Sequence, residues 1–166
     1  IILLLNMYLS VNHLKFDQNN IIISEKTKNN VMLGSDFHRL IFSDEVCSTN
    51  GIYINFTLKN ITIEKYFNKI KCIFEKSQEN NNIISNVINI ENKILTKFKR
   101  KDEHIFSHRI QEQLYNGFIK MYGDNNIKYG THKNINFLLK ISGIWVTNQT
   151  NEFGLTFRFF IFNNQF

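Results

Sequence analysis

Four arginines stand out in a chain otherwise rich in lysine: Arg39, Arg100, Arg109 and Arg158. Arginine makes planar, bidentate contacts to phosphate and stacks on flat rings, which lysine does not. Three aromatic–cation pairings in the sequence place that chemistry within reach of a base: Phe37 with Arg39, Tyr53 with Lys59, and Arg158 with Phe160. Tyr53 and Trp145, the single tryptophan, keep a polar handle beside an apolar ring, which suits a wet groove. A cationic groove with aromatic platforms is what sequence-tolerant capture of a single nucleic-acid strand requires. Core packing is the ordinary role of any one ring in a chain with 16 Phe. The densest basic run, Lys97 to Lys101, offers Lys99, Arg100 and Lys101 as phosphate contacts that position a strand without reading it. A solvated helix terminus, where cations meet the dipole favourably, accounts for the same run equally well.

Metal and catalytic chemistry find less support. His104 and His108 have the spacing of two ligands on one helix face, but no glutamate base stands between them and no third ligand is evident. No metal or cofactor is therefore assigned. The dinucleotide, P-loop, nucleophile-elbow and zinc-protease motifs are all absent, so no catalytic residue is named. A magnesium-dependent nuclease would need clustered carboxylates, whereas Asp17, Asp36, Asp44 and Glu45 are scattered over expected turns. Cys47 and Cys72 show no CxxC spacing, and reduced thiols in an intracellular protein are the expectation. The apolar start Ile1–Leu5 is too short to span a membrane and lacks the features of a signal peptide, so no membrane partner and no secretion are expected. Met7 is a candidate initiator, with residues 1–6 an upstream extension.

The elements that must hold these groups are mostly strands. Phe137–Val146 and Gly154–Phe162 alternate at period two and read as a hairpin. With Val146 opposite Gly154, the pairs Leu139–Ile161, Ile141–Phe159, Gly143–Phe157 and Trp145–Leu155 face the core. Lys140–Phe160, Ser142–Arg158 and Ile144–Thr156 take the other face, where Lys140 and Arg158 would hold phosphates and Phe160 or Trp145 would stack a base. Residues 37–58, interrupted by the turn dipeptide Asn50-Gly51, read as a second hairpin. Tyr8–Phe16 and Ile21–Ile23 read as further strands, 24–30 as a loop or helical turn, and 62–74 as a short helix running into a strand. Helical spacing of apolar residues predicts a helix over 83–98 and a second from about His104 to Tyr122, ended by Gly123–Asn126.

The chain is one domain by length, and its 43% hydrophobic content marks it as globular. Proline and alanine are absent while Asn, Ile, Lys and Phe dominate, the signature of an AT-rich genome. A net charge of +6 and a pI of about 9.3 favour an anionic partner, although AT bias alone would raise the lysine content. The expected fold is mixed and mainly β: one OB-like, partly open barrel over 7–166, with about five or more strands and a two-helix insertion at 83–122.

The segments Leu139–Trp145 and Phe153–Phe159 resemble the terminal hairpin of single-stranded DNA-binding proteins from large DNA viruses, a resemblance covering about a twelfth of the chain. It implies non-catalytic, sequence-tolerant binding of single-stranded DNA in replication or repair, inside the host cell, in cytoplasm or nucleus. A β-rich virion assembly protein and, behind it, a metal-dependent nuclease are the alternatives. Oligomerisation is left open.

Overall fold

A computed structural model describes residues 9–99, 105–122 and 127–162. In chain order they form β1 (Val11–Asn12), β2 (Ile21–Lys28), β3 (Ser35–Ser43), β4 (Ser48–Asn50), β5 (Ile52–Tyr66) and β6 (Lys69–Phe74). Helix α1 (Gln78–Phe98), β7 (Ile105–Ser107), helix α2 (Arg109–Tyr115), β8 (Phe118–Tyr122), β9 (Gly130–Thr147) and β10 (Glu152–Phe162) follow. The main path through the sheet is β2-β3-β9-β5-β6-β8. The 18-residue β9 is its axis. One edge of β9 pairs with β5 and, further along, with β3; the other edge pairs with β10. The sheet is antiparallel except for the short β1–β5 and β7–β10 pairings. It curves but stays open: β8 and β10 border a common cleft and, among the described residues, share no backbone hydrogen bond.

Alternation decides which side of this sheet is dry. Ile54, Phe56 and Leu58 of β5, Phe137, Leu139 and Ile141 of β9, and Leu155 and Phe159 of β10 enter one core. Helix α1 covers that core with Ile84, Val87, Ile88, Ile94 and Leu95, a 3.6-residue stripe. Its start is fixed by a side chain that imitates a strand. Asn80, fully buried, accepts from the Lys59 N–H at 2.9 Å and donates to the carbonyls of Lys59 at 2.8 Å and Glu75 at 2.7 Å. This happens beside Asn60, whose φ of 53° breaks the alternation so that inward residues step from Leu58 to Ile61.

Several expectations are corrected here. Strands 37–43 and 52–58 do not pair with each other as a hairpin: β3 and β5 follow one another along the same edge of β9, and the local hairpin is the short β3–β4 pairing of Phe42 with Thr49 and Ser43 with Ser48. The 62–74 segment is a β5–β6 hairpin with no helix; Phe67 turns it at a φ of 54°. Helix α1 begins at Gln78, before the apolar stripe, because Ser77 caps it by accepting from the Asn80 N–H. The second helix is only Arg109–Tyr115, since Gly117 takes a φ of 79° and Phe118–Tyr122 pairs with β6. The stretch 83–122 therefore contains strands β7 and β8 as well as helices. Of Tyr8–Phe16 only Val11–Asn12 is strand among the described residues, whereas β2 runs on through the expected loop to Lys28. His104 and Gly123–Asn126 lie outside the described residues.

The C-terminal hairpin is real, with a different register. Phe153 lies opposite Val146 and Trp145 opposite Gly154, and a bulge follows as the pairing passes from Thr156–Gly143 to Phe157–Ile141. The bulge adds Ser142 to β9, so Ile141 and Ile144 both point into the core. Every later side chain on β9 is thereby switched: Gly143 and Trp145 move to the outer face and Ile144 to the inner one.

Candidate nucleic-acid interface

The bulge has a direct chemical consequence, because it gathers Trp145 with the cations. Across β3, β9 and β10 the outer face carries the row Phe37–Trp145–Gly154, then Arg39–Gly143–Thr156. Where β5 replaces β3 along the same edge, the rows continue as Tyr53–Lys140–Arg158 and Asn55–Leu138–Phe160. Six residues anticipated from the sequence therefore share one face: Arg39, Tyr53, Lys140, Trp145, Arg158 and Phe160.

Small residues let the rings lie flat on this face. A side chain at Gly143 would overlap the Phe37 ring and sit 2.5 Å from the His38 carbonyl oxygen, so Phe37 lies across the bare backbone of Gly143. The expected pairing set Gly143 opposite Phe157 on the core face; it lies on the outer face instead, and the ring across it is Phe37. Gly154 plays the same part for Trp145, whose Cζ2 would be 2.8 Å from an added Cβ. The indole is covered from above by Arg109, its guanidinium carbon 5.6 Å from the ring centroid. Trp145 is consequently buried, at 5% exposure. Tyr53 is buried too, with the Lys140 ammonium 5.4 Å from its ring, so it orients that cation rather than offering a platform. Phe37 and Phe160 are half-buried and available at the surface.

Two hollows follow the rows. One, of about 440 Å³, runs between the β2–β3 loop at Asn29–Met32 and the side chains of Trp145, Arg39 and Arg158. The other, of about 250 Å³, is lined by Phe37, Arg39, Asn50, Lys140 and Ser142. Neither has a carboxylate in its lining, and Arg39, Lys140 and Arg158 have no ion-pair partner among the described residues. Arg39 is steered by the Asn50 side-chain oxygen, which accepts its hydrogen bond at 3.2 Å. Cations without an ion-pair partner among the described residues thus stand beside aromatic rings, which makes the face electropositive and partly apolar.

Arg109 is placed by a buried acid. Glu91 of α1, fully buried, accepts from the backbone N–H of Ile110 at 3.1 Å and Gln111 at 2.8 Å at the start of α2. Burial pushes its carboxyl up to about 7; the two N–H donors oppose this and the neighbouring Glu112 adds to it.

Other expected residues lie elsewhere. Lys59 is joined to Glu79 at 2.7 Å near the start of α1. Lys99 caps α1, which packs on the core side of the sheet, and Arg100 and Lys101 are outside the described residues. Asp17 and Asp44 close turns by accepting backbone N–H groups, whereas Asp36 lies in β3 and pairs with Lys26 at 3.3 Å. No group of three or more His, Cys, Asp or Glu suited to a metal occurs among the described residues. No helix among them is long and apolar enough to cross a membrane.

The sequence reading missed a second basic and aromatic patch on β6 and β8. Lys69 lies 5.1 Å from the Tyr122 ring, Lys71 4.8 Å from Phe118, and Lys120 4.5 Å from Tyr66. Arg158 joins it to the first patch, its guanidinium carbon 5.8 Å from the Tyr122 centroid. The alternation in Lys69-Ile70-Lys71 and in Phe118–Tyr122 was the available signal, hidden because the first lies in a segment read as a helix running into a strand and the second in one read as helix. No family model matches this chain, and no curated protein or solved structure shows significant similarity to it.

Proposed function

We propose that this chain is a non-catalytic single-stranded nucleic-acid-binding protein, with DNA as the expected polymer in replication or repair. The curved path β10-β9-β5-β6-β8 is read as an OB-like, partly open barrel whose outer face receives the strand. Arg39, Lys140 and Arg158 hold phosphates, while Phe37 and Phe160 stack bases and Trp145 forms the floor between them. The supporting observation is the convergence of these groups from β3, β9 and β10 on one face without a carboxylate in its hollows. A hydrated sheet surface needs polar residues, but it does not need Phe37 and Trp145 laid over glycines beside arginines that have no ion-pair partner among the described residues. Stacking of this kind contributes about 1–3 kcal/mol per base and tolerates any sequence, because every base has a π face. Fluorescence anisotropy of a labelled oligothymidylate, titrated at low salt with duplex DNA as competitor, tests the proposal. Saturable, salt-sensitive binding that duplex displaces poorly is expected; absence of binding at low salt refutes it.

A further inference from the structure

The open seam of the sheet holds a cleft of about 410 Å³ between β8 and β10, within the range of small-ligand sites. Its apolar wall is formed by Met121, Phe157 and Phe159, and Tyr122 and Phe160 stand at its mouth. Lys69, Lys120 and Arg158 line it as well, no carboxylate does, and none of the three cations has an ion-pair partner among the described residues. Tyr122 is 62% exposed and lies within cation–π distance of both Lys69 and Arg158.

These features restrict the occupant. An inserted peptide strand would need free N–H groups along β8, yet the central one, that of Lys120, already donates to the Gln113 side-chain oxygen at 2.9 Å. A purely apolar ligand would leave three cations without a counter-charge, and a simple inorganic anion would leave the aromatic wall uncovered. A flat ring carrying a phosphate satisfies both halves. We propose that the β8–β10 seam is a nucleotide-binding cleft, in which a base lies against Met121 and Phe159 under Tyr122 while Lys69, Lys120 and Arg158 hold its phosphate. The occupant is either a free nucleotide or one unit of a bound strand; the latter form rests on the single-strand reading above.

The chain's methionines provide the test. Its three methionines are Met7, Met32 and Met121, and the last two sit in different hollows: Met121 in the seam and Met32 in the hollow beside Trp145. With ¹³C-methyl-labelled methionine, thymidine 5′-monophosphate and oligothymidylate are titrated separately and the methyl resonances followed by NMR. A saturable Met121 shift with the mononucleotide identifies a free-nucleotide site, and one seen only with the oligomer identifies a strand subsite. In the variant carrying Lys69→Ala and Lys120→Ala the midpoint is expected to rise at least tenfold, and Tyr122→Ala, a change at an exposed side chain, should reduce the shift. A Met121 resonance unmoved by either probe, or a shift unchanged in both variants, overturns the inference. Oligomer-induced movement of Met32 alone would leave the outer-face reading standing while the cleft fails, and movement of Met121 alone would do the reverse.

Discussion

Raising the pH from 5 to 8 is expected to weaken the folded state through Glu91. Its carboxyl is removed from water between α1 and α2, and burial raises its pKa from 4.5 to about 7 against the pull of the Ile110 and Gln111 N–H groups. A shift of that size corresponds to about 3 kcal/mol of preference for the protonated form in the folded chain. Since the folded pKa lies above the unfolded one, this contribution is fully present below pH 4.5 and is lost as the pH rises through 7. Urea unfolding at pH 5 and pH 8, on the wild type and on Glu91→Gln, isolates it from the other titrating groups. The variant is destabilised at both values, because its amide nitrogen cannot accept the N–H that a carboxylate oxygen accepts. Its stability should nevertheless fall by up to about 3 kcal/mol less than that of the wild type across the interval. Equal losses in the two proteins would refute the reasoning. Because α2 carries the Arg109 that covers Trp145, the same titration should appear as a change in tryptophan fluorescence with a midpoint near 7.

Asn80→Ala strips the Lys59 and Glu75 backbone groups of three hydrogen bonds and should cost about 2–4 kcal/mol in chemical denaturation, at about 1–3 kcal/mol per buried unpaired group with partial rescue by water. Gly143→Ala forces a methyl into the Phe37 ring and the His38 carbonyl, so thermal melting should show a marked fall and the tryptophan signal should change as the β3–β9 pairing shifts. Phe159→Ala, at a ring only 4% exposed, should destabilise by about 3–5 kcal/mol, and Phe157→Ala, half-buried at the seam, by distinctly less.

The parts of this fold that were legible in the sequence are those where alternation or helical spacing is uninterrupted. Leu155, Phe157, Phe159 and Ile161 face the core as period two requires, and the α1 stripe from Ile84 to Leu95 lies on the core. Reading failed where one residue changes the phase. Nothing in Ile141-Ser142-Gly143-Ile144 announces a bulge, and strict alternation puts Trp145 on the wrong side. The β5–β6 turn was hidden because Ile63, Tyr66, Phe67, Ile70 and Phe74 satisfy a helical spacing by coincidence, while their alternation is broken only at the Tyr66–Lys69 turn. Long-range pairing was not legible at all. That β3 and β5 both pair with one edge of β9 depends on partners far along the chain, whereas the turn at Asn50-Gly51 suggested a local hairpin. Arg39, Arg158 and Phe160 were found as arginine beside aromatic, and Tyr53 and Trp145 as rings with a polar handle, chemistry that survives an error in phase; Lys140 came from the strand face, which holds on its side of the bulge. Lys69, Lys71, Lys120 and Tyr122 were overlooked because lysine is so abundant in this chain that only a strand assignment would have set them apart.

The central claim, that the outer face binds a single strand through Arg39, Lys140 and Arg158, is tested most directly by salt dependence. Each phosphate contact contributes a slope of about 0.7 in log K against log salt for single strands, so three contribute about 2. Binding through these three alone should weaken about 20-fold between about 50 and 200 mM salt. The measurement is the slope for oligothymidylate, wild type against the variant with all three cations changed to alanine. The account predicts a slope shallower by about 2 in the variant, with its unfolding midpoint near that of the wild type. An unchanged slope and affinity in a folded triple variant would contradict it.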